Sequence, residues 1–150
     1  MSLEEKVMSL MKEAMKSKDE ATLRSVRAIK AEIIKAKTDP GANGVINEET
    51  ELKLLQKLVK SRKDSLLIYE QQNRPDLAAK ESEEISVIEK FLPAQMSEAE
   101  VKAAVEAIIA QVGAAGPQDL GKVMGMATKQ LAGQADGKVI SAIAKTLLSA

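Results

Sequence analysis

Apolar residues in this chain recur every three or four positions, and nowhere do they alternate with polar ones. That period restricts the fold to helices that each bury one face. The first stripe runs Leu3, Val7, Leu10, Met11, Ala14 and Met15, and Ser2 with Glu5 has the spacing of a capping box at its start. Met8, Met11 and Met15 form a methionine row on this segment. A Met-rich surface can grip partner helices, but Leu and Val share the face, so core packing is the expectation. A second stripe, Leu23, Val26, Ile29, Ile33 and Ala36, follows a break at Lys18-Asp19 and stops at TDPGANG, residues 38–44. A third helix starts after Asn47 and carries Leu52, Leu55, Leu58, Val59, Leu66 and Tyr69. Pro75 suits the first position of a fourth, whose face is Leu77, Ile85, Ile88 and Leu92.

At Pro93 the pattern breaks, and Ser97 with Glu100 forms a second capping box. Beyond it alanine and glycine rise and charge falls. Three shorter helices fit, at 98–112 (Val101, Val105, Ile108, Val112), 117–131 (Leu120, Met124, Ala127, Leu131) and 137–149 (Ile140, Ile143, Leu147). The expected architecture is all-α: an N-terminal four-helix array over 1–92, a linker at 93–97 and a three-helix bundle over 98–150.

Composition narrows the chemistry. The chain has no Cys and no His, which removes thiolate chemistry, disulfides, the commonest general base and the commonest metal ligand. An independent enzyme is therefore disfavoured, and neither a metal nor a cofactor is expected. With one Phe and one Tyr, the core must be aliphatic. The 22 basic and 22 acidic residues divide as 17 of each before Pro93 and 5 of each after it, so no global field draws in nucleic acid or membrane. The first 18 residues carry charges throughout, unlike a signal peptide. The longest uncharged run, 107–118, contains two Gly and a Pro and is too short to span a bilayer. A cytoplasmic protein without membrane contact is expected.

Two apparent motifs fail on their own residues. Gly116 to Lys122 has the spacing of a phosphate-binding loop, but Val123 replaces the hydroxyl residue, Pro117 removes an N–H and Asp119 would repel phosphate. Asp39 to Thr50 begins like a calcium loop, yet Gly41 and Thr50 stand where carboxylate-type ligands belong. The carboxylate pairs Glu83/Glu84 and Glu48/Glu49 read as solvated helix surface.

Basic rows are better candidates for a site. Arg24, Arg27 and Lys30 lie on the second helix. Lys53, Lys57, Lys60, Arg62 and Lys63 lie on the third, with no acidic residue between Leu52 and Lys63. Lys53, Lys57 and Lys60 fall at i, i+4 and i+7, which is one face. Such a row can follow a phosphate backbone by displacing counterions. Without interleaved aromatics to stack unpaired bases, it suits a double-stranded or folded RNA. The competing reading is a solvated face balanced by Glu81, Glu83, Glu84 and Glu89 of the fourth helix.

Several segments, in order, resemble the GatB/YqeY family, and within it the YqeY-like branch: Lys60-Ser61-Arg62-Lys63-Asp64-Ser65, Asp76-Leu77-Ala78, Ile88-Glu89-Lys90-Phe91-Leu92-Pro93, and Gly121-Lys122-Val123-Met124 with Gly133-Gln134-Ala135-Asp136-Gly137. The resemblance covers essentially the whole chain. It implies a helical N-terminal domain and a small helical tail similar to that of the B subunit of tRNA-dependent amidotransferase, a glutamine-dependent carbon–nitrogen ligase. In that enzyme the tail contacts tRNA, and chemistry occurs in parts this chain lacks. The implied function is a non-catalytic tRNA-binding or tRNA-enzyme accessory protein, with Lys122, Lys129, Gln134 and Lys138 forming the tail surface. Where family tails often carry basic residues, this chain has Ala132 and Gln134. Locally, Gly133 ends one helix, Asp136 caps the next and Gly137 permits close approach. The alternative is an adaptor that docks an aminoacyl-tRNA synthetase or an amidotransferase subunit without touching RNA.

Overall fold

A computed structural model describes residues 2–150. Among them are seven α-helices: α1 (Leu3–Ser17), α2 (Glu20–Lys37), α3 (Glu48–Gln71), α4 (Pro75–Glu89), α5 (Glu98–Val112), α6 (Leu120–Gln130) and α7 (Gly137–Ser149). The chain divides into two compact units, Met1–Leu92 and Pro93–Ala150. Each has its own aliphatic core.

The helices begin where local chemistry starts them. Ser2 and Ser97 each form a complete capping box, with Glu5 and Glu100 respectively. The Asp19 carboxylate accepts the Thr22 N–H at 3.1 Å and the Thr22 hydroxyl at 2.7 Å, so the α1–α2 break is also the start of α2. Lys18 adopts a left-handed backbone there, with φ of 57°. The Asn47 side chain accepts the Thr50 N–H at 2.8 Å, and Pro75 opens α4. The helix expected over 117–131 differs at both ends. Residues Pro117–Asp119 form a tighter 3₁₀ turn, and α6 stops at Gln130. The ring of Pro117 fits that tight first turn, where its missing N–H costs nothing.

In the first unit α2 is the common wall. It packs against α1, α3 and α4, and α3 packs against α4. Val26, Ile29 and Ile33 of α2 are fully buried, against Leu3 and Val7 of α1, Leu54, Leu55 and Val59 of α3, and Ile85, Val87 and Ile88 of α4. Thr22 and Ser25 are buried too. The Ser25 hydroxyl donates to the Ala21 carbonyl of its own helix at 2.7 Å, which satisfies it without a partner from another element.

The methionine row departs from expectation. Only Met11 packs on the core, while Met8 is 37% and Met15 59% exposed. Helix α1 packs chiefly on α2, and so buries the narrow line Leu3, Val7 and Ala14. A helix packed chiefly on one neighbour leaves the edges of a broad apolar stripe in water.

In the second unit the buried line of α7 is Ile140, Ala144 and Leu148, at successive i+4 steps, with Ile143 and Leu147 partly buried beside it. Val101, Val105 and Ile108 of α5 and Val123 and Ala127 of α6 complete the core.

Truncation at the common wall should therefore be costly. Ile29→Ala is expected to lower unfolding free energy by about 2–5 kcal/mol. Ile34→Ala, on the same helix but 51% exposed, should cost no more than about 0.5 kcal/mol. Urea denaturation of both variants beside the parent measures the contrast.

Candidate nucleic-acid interface

The basic residues named from the sequence separate into two groups in the folded chain. In the first, α4 neutralises cations of α2 and α3. Arg24 Nη2 lies 3.1 Å from Glu83 and its Nε 3.9 Å from Glu84. Arg62 Nε lies 3.6 Å from the other Glu84 oxygen, and Lys63 Nζ lies 3.4 Å from Glu89. The Glu84 carboxylate thus sits between cations from two other helices. Arg62 and Glu84 are 17% and 16% exposed, so Glu84 is not the solvated carboxylate its sequence position suggested. The geometry is loose: Arg62 Nη1 donates to the Leu58 carbonyl at 3.2 Å, but its buried Nε lacks an accepting atom within hydrogen-bond range among the described residues. Lys53, well exposed, pairs with Glu49 one turn earlier at 2.9 Å.

The second group is Arg27, Lys30, Lys57 and Lys60. Lys57 and Lys60 lie on the side of α3 opposite Leu55, Val59 and Arg62, a consequence of the 3.6-residue period. Arg27 lies opposite the buried face of α2. Because α2 and α3 pack through their apolar faces, their outer faces point apart.

In the second unit Lys122 and Lys129 are exposed and share one face of α6, seven residues or about 10 Å apart. The loop before α7 is occupied by its own contacts. The Gly133 carbonyl accepts Gln95 Nε2 at 2.7 Å, and the Gln134 carbonyl accepts the Met96 N–H at 2.9 Å. Residues 95–96 are thereby strapped to the loop. Asp136 Oδ1 accepts the Lys138 N–H at 3.1 Å, which places a carboxylate where an anion would otherwise meet the helix start. Gly133 has φ of 77°, a conformation that favours glycine. Gly137 is different: a side chain there would meet nothing within 4 Å, so close approach does not explain it.

The failed motifs have local roles. Asp119 accepts the Ala115 N–H at 2.8 Å and stabilises the turn before α6. Asp39 accepts the Gly41 N–H and stabilises the turn after α2. Among the described residues no cluster of three acidic side chains is placed to hold a metal. None of the helices formed by the described residues is long and apolar enough to cross a membrane. Beside α7 an open groove of ≈ 490 Å³ is lined by Lys102, Val139, Ala142, Ile143, Thr146 and Leu147. Ile143 and Leu147 reach it because Ala144 and Leu148, rather than they, hold the core line.

The Glu84 clasp should behave as a coupled unit. Glu84→Met alone leaves Arg62 without its counter-ion and is expected to cost about 1–3 kcal/mol, whereas Arg62→Met/Glu84→Met should recover most of that loss. A double-mutant cycle by urea unfolding reads the coupling. A pH effect is expected one turn away at Glu81. Burial pushes its carboxyl above the ordinary 4.5, with the Glu84 charge adding to the rise and Arg62 opposing it. A raised carboxylate pKa means that ionisation weakens the folded state above that pKa. Glu81→Gln should therefore melt higher than the parent at neutral pH. The gap should shrink as pH falls through the folded pKa and vanish below 4.5, as thermal unfolding across pH would record.

The sequence matches the YqeY-like protein family over residues 4–148. Among curated proteins, "Altered inheritance of mitochondria protein 41, mitochondrial" of Pyrenophora tritici-repentis is 30% identical over 135 residues, covering 87% of this chain and 72% of that protein. The protein of the same name from Vanderwaltozyma polyspora is 34% identical over 82 residues, covering 55% of this chain and 44% of that protein. With nearly its whole length matched by the family model, the chain belongs to the YqeY-like family.

Proposed function

We propose that this chain is a non-catalytic protein that binds tRNA, alone or within a tRNA–enzyme complex, through phosphate contacts. The observation that carries the reading is the outward face of α3. There Lys57 and Lys60 stand without an ion-pair partner among the described residues, while Arg24, Arg62 and Lys63 are drawn toward α4. Cations with no internal partner are the ones that release counterions when a polyanion binds. Lys122 and Lys129 on α6 supply a second pair of the same kind. The resemblance of residues 121–137 to the tail of the amidotransferase B subunit supports tRNA as the polyanion and a glutamine-dependent amidotransferase or an aminoacyl-tRNA synthetase as the associated enzyme. A chain with no His and no Cys leaves amide transfer to that enzyme. Cytoplasmic action of this chain is part of the same proposal. The mitochondrial names of the two fungal relatives describe those proteins.

A second reading, an adaptor that docks such an enzyme without RNA, is favoured by the apolar side chains that α1 and α2 leave in solvent.

Electrophoretic mobility of total tRNA with the purified chain tests the first reading. Log affinity should fall linearly with log salt, and Lys57→Glu/Lys60→Glu should weaken binding about 10-fold or more at low salt and reduce the slope by about 2. Lys145→Glu, on α7, should leave both nearly unchanged. The absence of a salt-dependent shift at low salt would overturn the reading.

A further inference from the structure

The connection between α2 and α3 holds the one Asn-Gly pair in the chain, Asn43-Gly44. Its ends are fixed: the Thr38 hydroxyl donates to the Lys35 carbonyl at 2.9 Å, Ile46 packs on the core and Asn47 caps α3. Between them the Val45 N–H donates to the Ala42 carbonyl at 3.1 Å. Asn43 and Gly44, the two central residues of that turn, have φ of 52° and 77°. It is therefore a type I′ turn, the kind that favours Asn-Gly. Both residues are exposed, and Val45 beside them is 70% exposed. Among the described residues neither the Gly44 N–H nor the Asn43 side-chain amide has a hydrogen-bond partner. A side chain at Gly44 would meet nothing within 4 Å, so the approach to this peptide bond is open.

The other two asparagines are exposed as well, so exposure alone does not set Asn43 apart. Their hydrogen bonds do. Asn47 Oδ1 accepts the Thr50 N–H at 2.8 Å, which fixes that side chain on the start of α3. Asn73 is followed by Arg74, whose N–H donates to the Tyr69 carbonyl at 2.8 Å and so is not free to react. Asp136-Gly137 is the other dipeptide of this shape. Its side chain is an acid, a poorer electrophile than an amide, and is engaged by the Lys138 N–H at 3.1 Å.

We infer that Asn43 is a site of spontaneous covalent modification, converted through a cyclic imide to aspartate and isoaspartate. The Gly44 nitrogen gives its proton to hydroxide and attacks Cγ of Asn43. The N–Cγ bond forms, the Cγ–Nδ2 bond breaks, and ammonia leaves with a proton supplied by water. Water then opens the five-membered imide. Cleavage of the N–Cγ bond leaves an aspartate at position 43. Cleavage at the main-chain carbonyl leaves isoaspartate, with the chain running through Cγ. The closed turn gates the reaction, because ψ near +30° at its first central residue turns the next nitrogen away from the side chain. The Ala42–Val45 hydrogen bond must open first, and one exposed bond of this kind favours the closed form by only about 2- to 10-fold. Either product adds a carboxylate to a chain of zero formal charge. Isoaspartate also lengthens the connection by a methylene between its fixed ends. It presents the carboxylate that an S-adenosylmethionine-dependent isoaspartyl methyltransferase esterifies. Nothing in this chemistry depends on RNA binding.

The test incubates the full chain in neutral buffer at physiological temperature and follows it by isoelectric focusing and peptide mapping. A band more acidic by a single charge should grow in. Mapping should place aspartate and isoaspartate at position 43 and find Asn47 and Asn73 intact. The aged chain, and not the fresh one, should accept labelled methyl groups from S-adenosylmethionine in the presence of an isoaspartyl methyltransferase. Asn43→Gln, whose ring would need a sixth member, should lose both the acidic band and the methyl acceptance. Asn43→Asp should run with the acidic band from the start. A peptide spanning residues 38–48 gives the rate without the fold, and the folded chain should react slower than it by about 2- to 10-fold. An acidic band that persists in Asn43→Gln, equal conversion at Asn47 or Asn73, or a folded chain that stays unmodified while the peptide converts would overturn the inference.

Discussion

The apolar face of α2 is the constraint around which the N-terminal unit is organised. Three helices must reach the same line of Val26, Ile29 and Ile33, and with one Phe and one Tyr in the chain no large ring can fill a gap between them. Close approach is the remaining way to reach native packing density. Ser25 and Thr22, small and buried with hydroxyls bonded within their own helix turn, allow it at the end of α2 where Arg24 and Arg62 meet Glu84. The cost of burying a hydroxyl is met by the local hydrogen bond, so the neighbour's backbone can come near.

That closeness also determines the electrostatics. Once α4 lies against both α2 and α3, its Glu83, Glu84 and Glu89 fall within reach of Arg24, Arg62 and Lys63. A basic row that looks uniform along α3 is then two different things. Its inner members hold α4 in register, and its outer members face water. Burial makes the Arg62–Glu84 pair consequential: an ion pair at the edge of a core is weakly stabilising as a pair but costly to break on one side. The outer set is inexpensive to leave unpaired, and such charges are available to an incoming polyanion.

The C-terminal unit reaches its core by another route. Small side chains, Ala127 and Ala144 above all, are fully buried, so three short helices can meet closely with few large residues. A short bundle of this kind depends on its connections. The strap of Gln95 and Met96 onto the carbonyls of Gly133 and Gln134 satisfies loop groups that the helices cannot. The Gly133–Lys138 segment is therefore first a structural joint, with the Gly133 and Gln134 carbonyls taken by the strap and its helix start capped by Asp136.

Local chemistry was readable along the chain because its interactions span three or four residues. The capping residues Ser2, Asp19, Asn47, Ser97 and Asp136, the stop after Lys37 and the proline at the start of α4 all act within one helical turn, and each lies where the sequence places it. The aliphatic periodicity likewise identified Val26, Ile29, Ile33, Val101, Val105 and Ile108 as core. What depended on neighbours was not readable. Met8 and Met15 share a stripe with Leu3 and Val7, and the packing of α1 chiefly against α2 leaves them in water. Ala144 and Leu148 displace Ile143 and Leu147 from the deepest positions because α7 turns its i+4 line toward α5 and α6. Of the candidate site, the cations were legible as charges. Which of them are spent inside the protein and which face outward was decided by the arrival of α4, a contact between residues about sixty positions apart for Arg24 and Glu83. The sequence by itself determined helices, caps and the lack of His and Cys, since these are properties of residue type and short spacing. The tertiary structure alone decided which charges and which methionines remain for a partner, since that is a property of what each helix face meets.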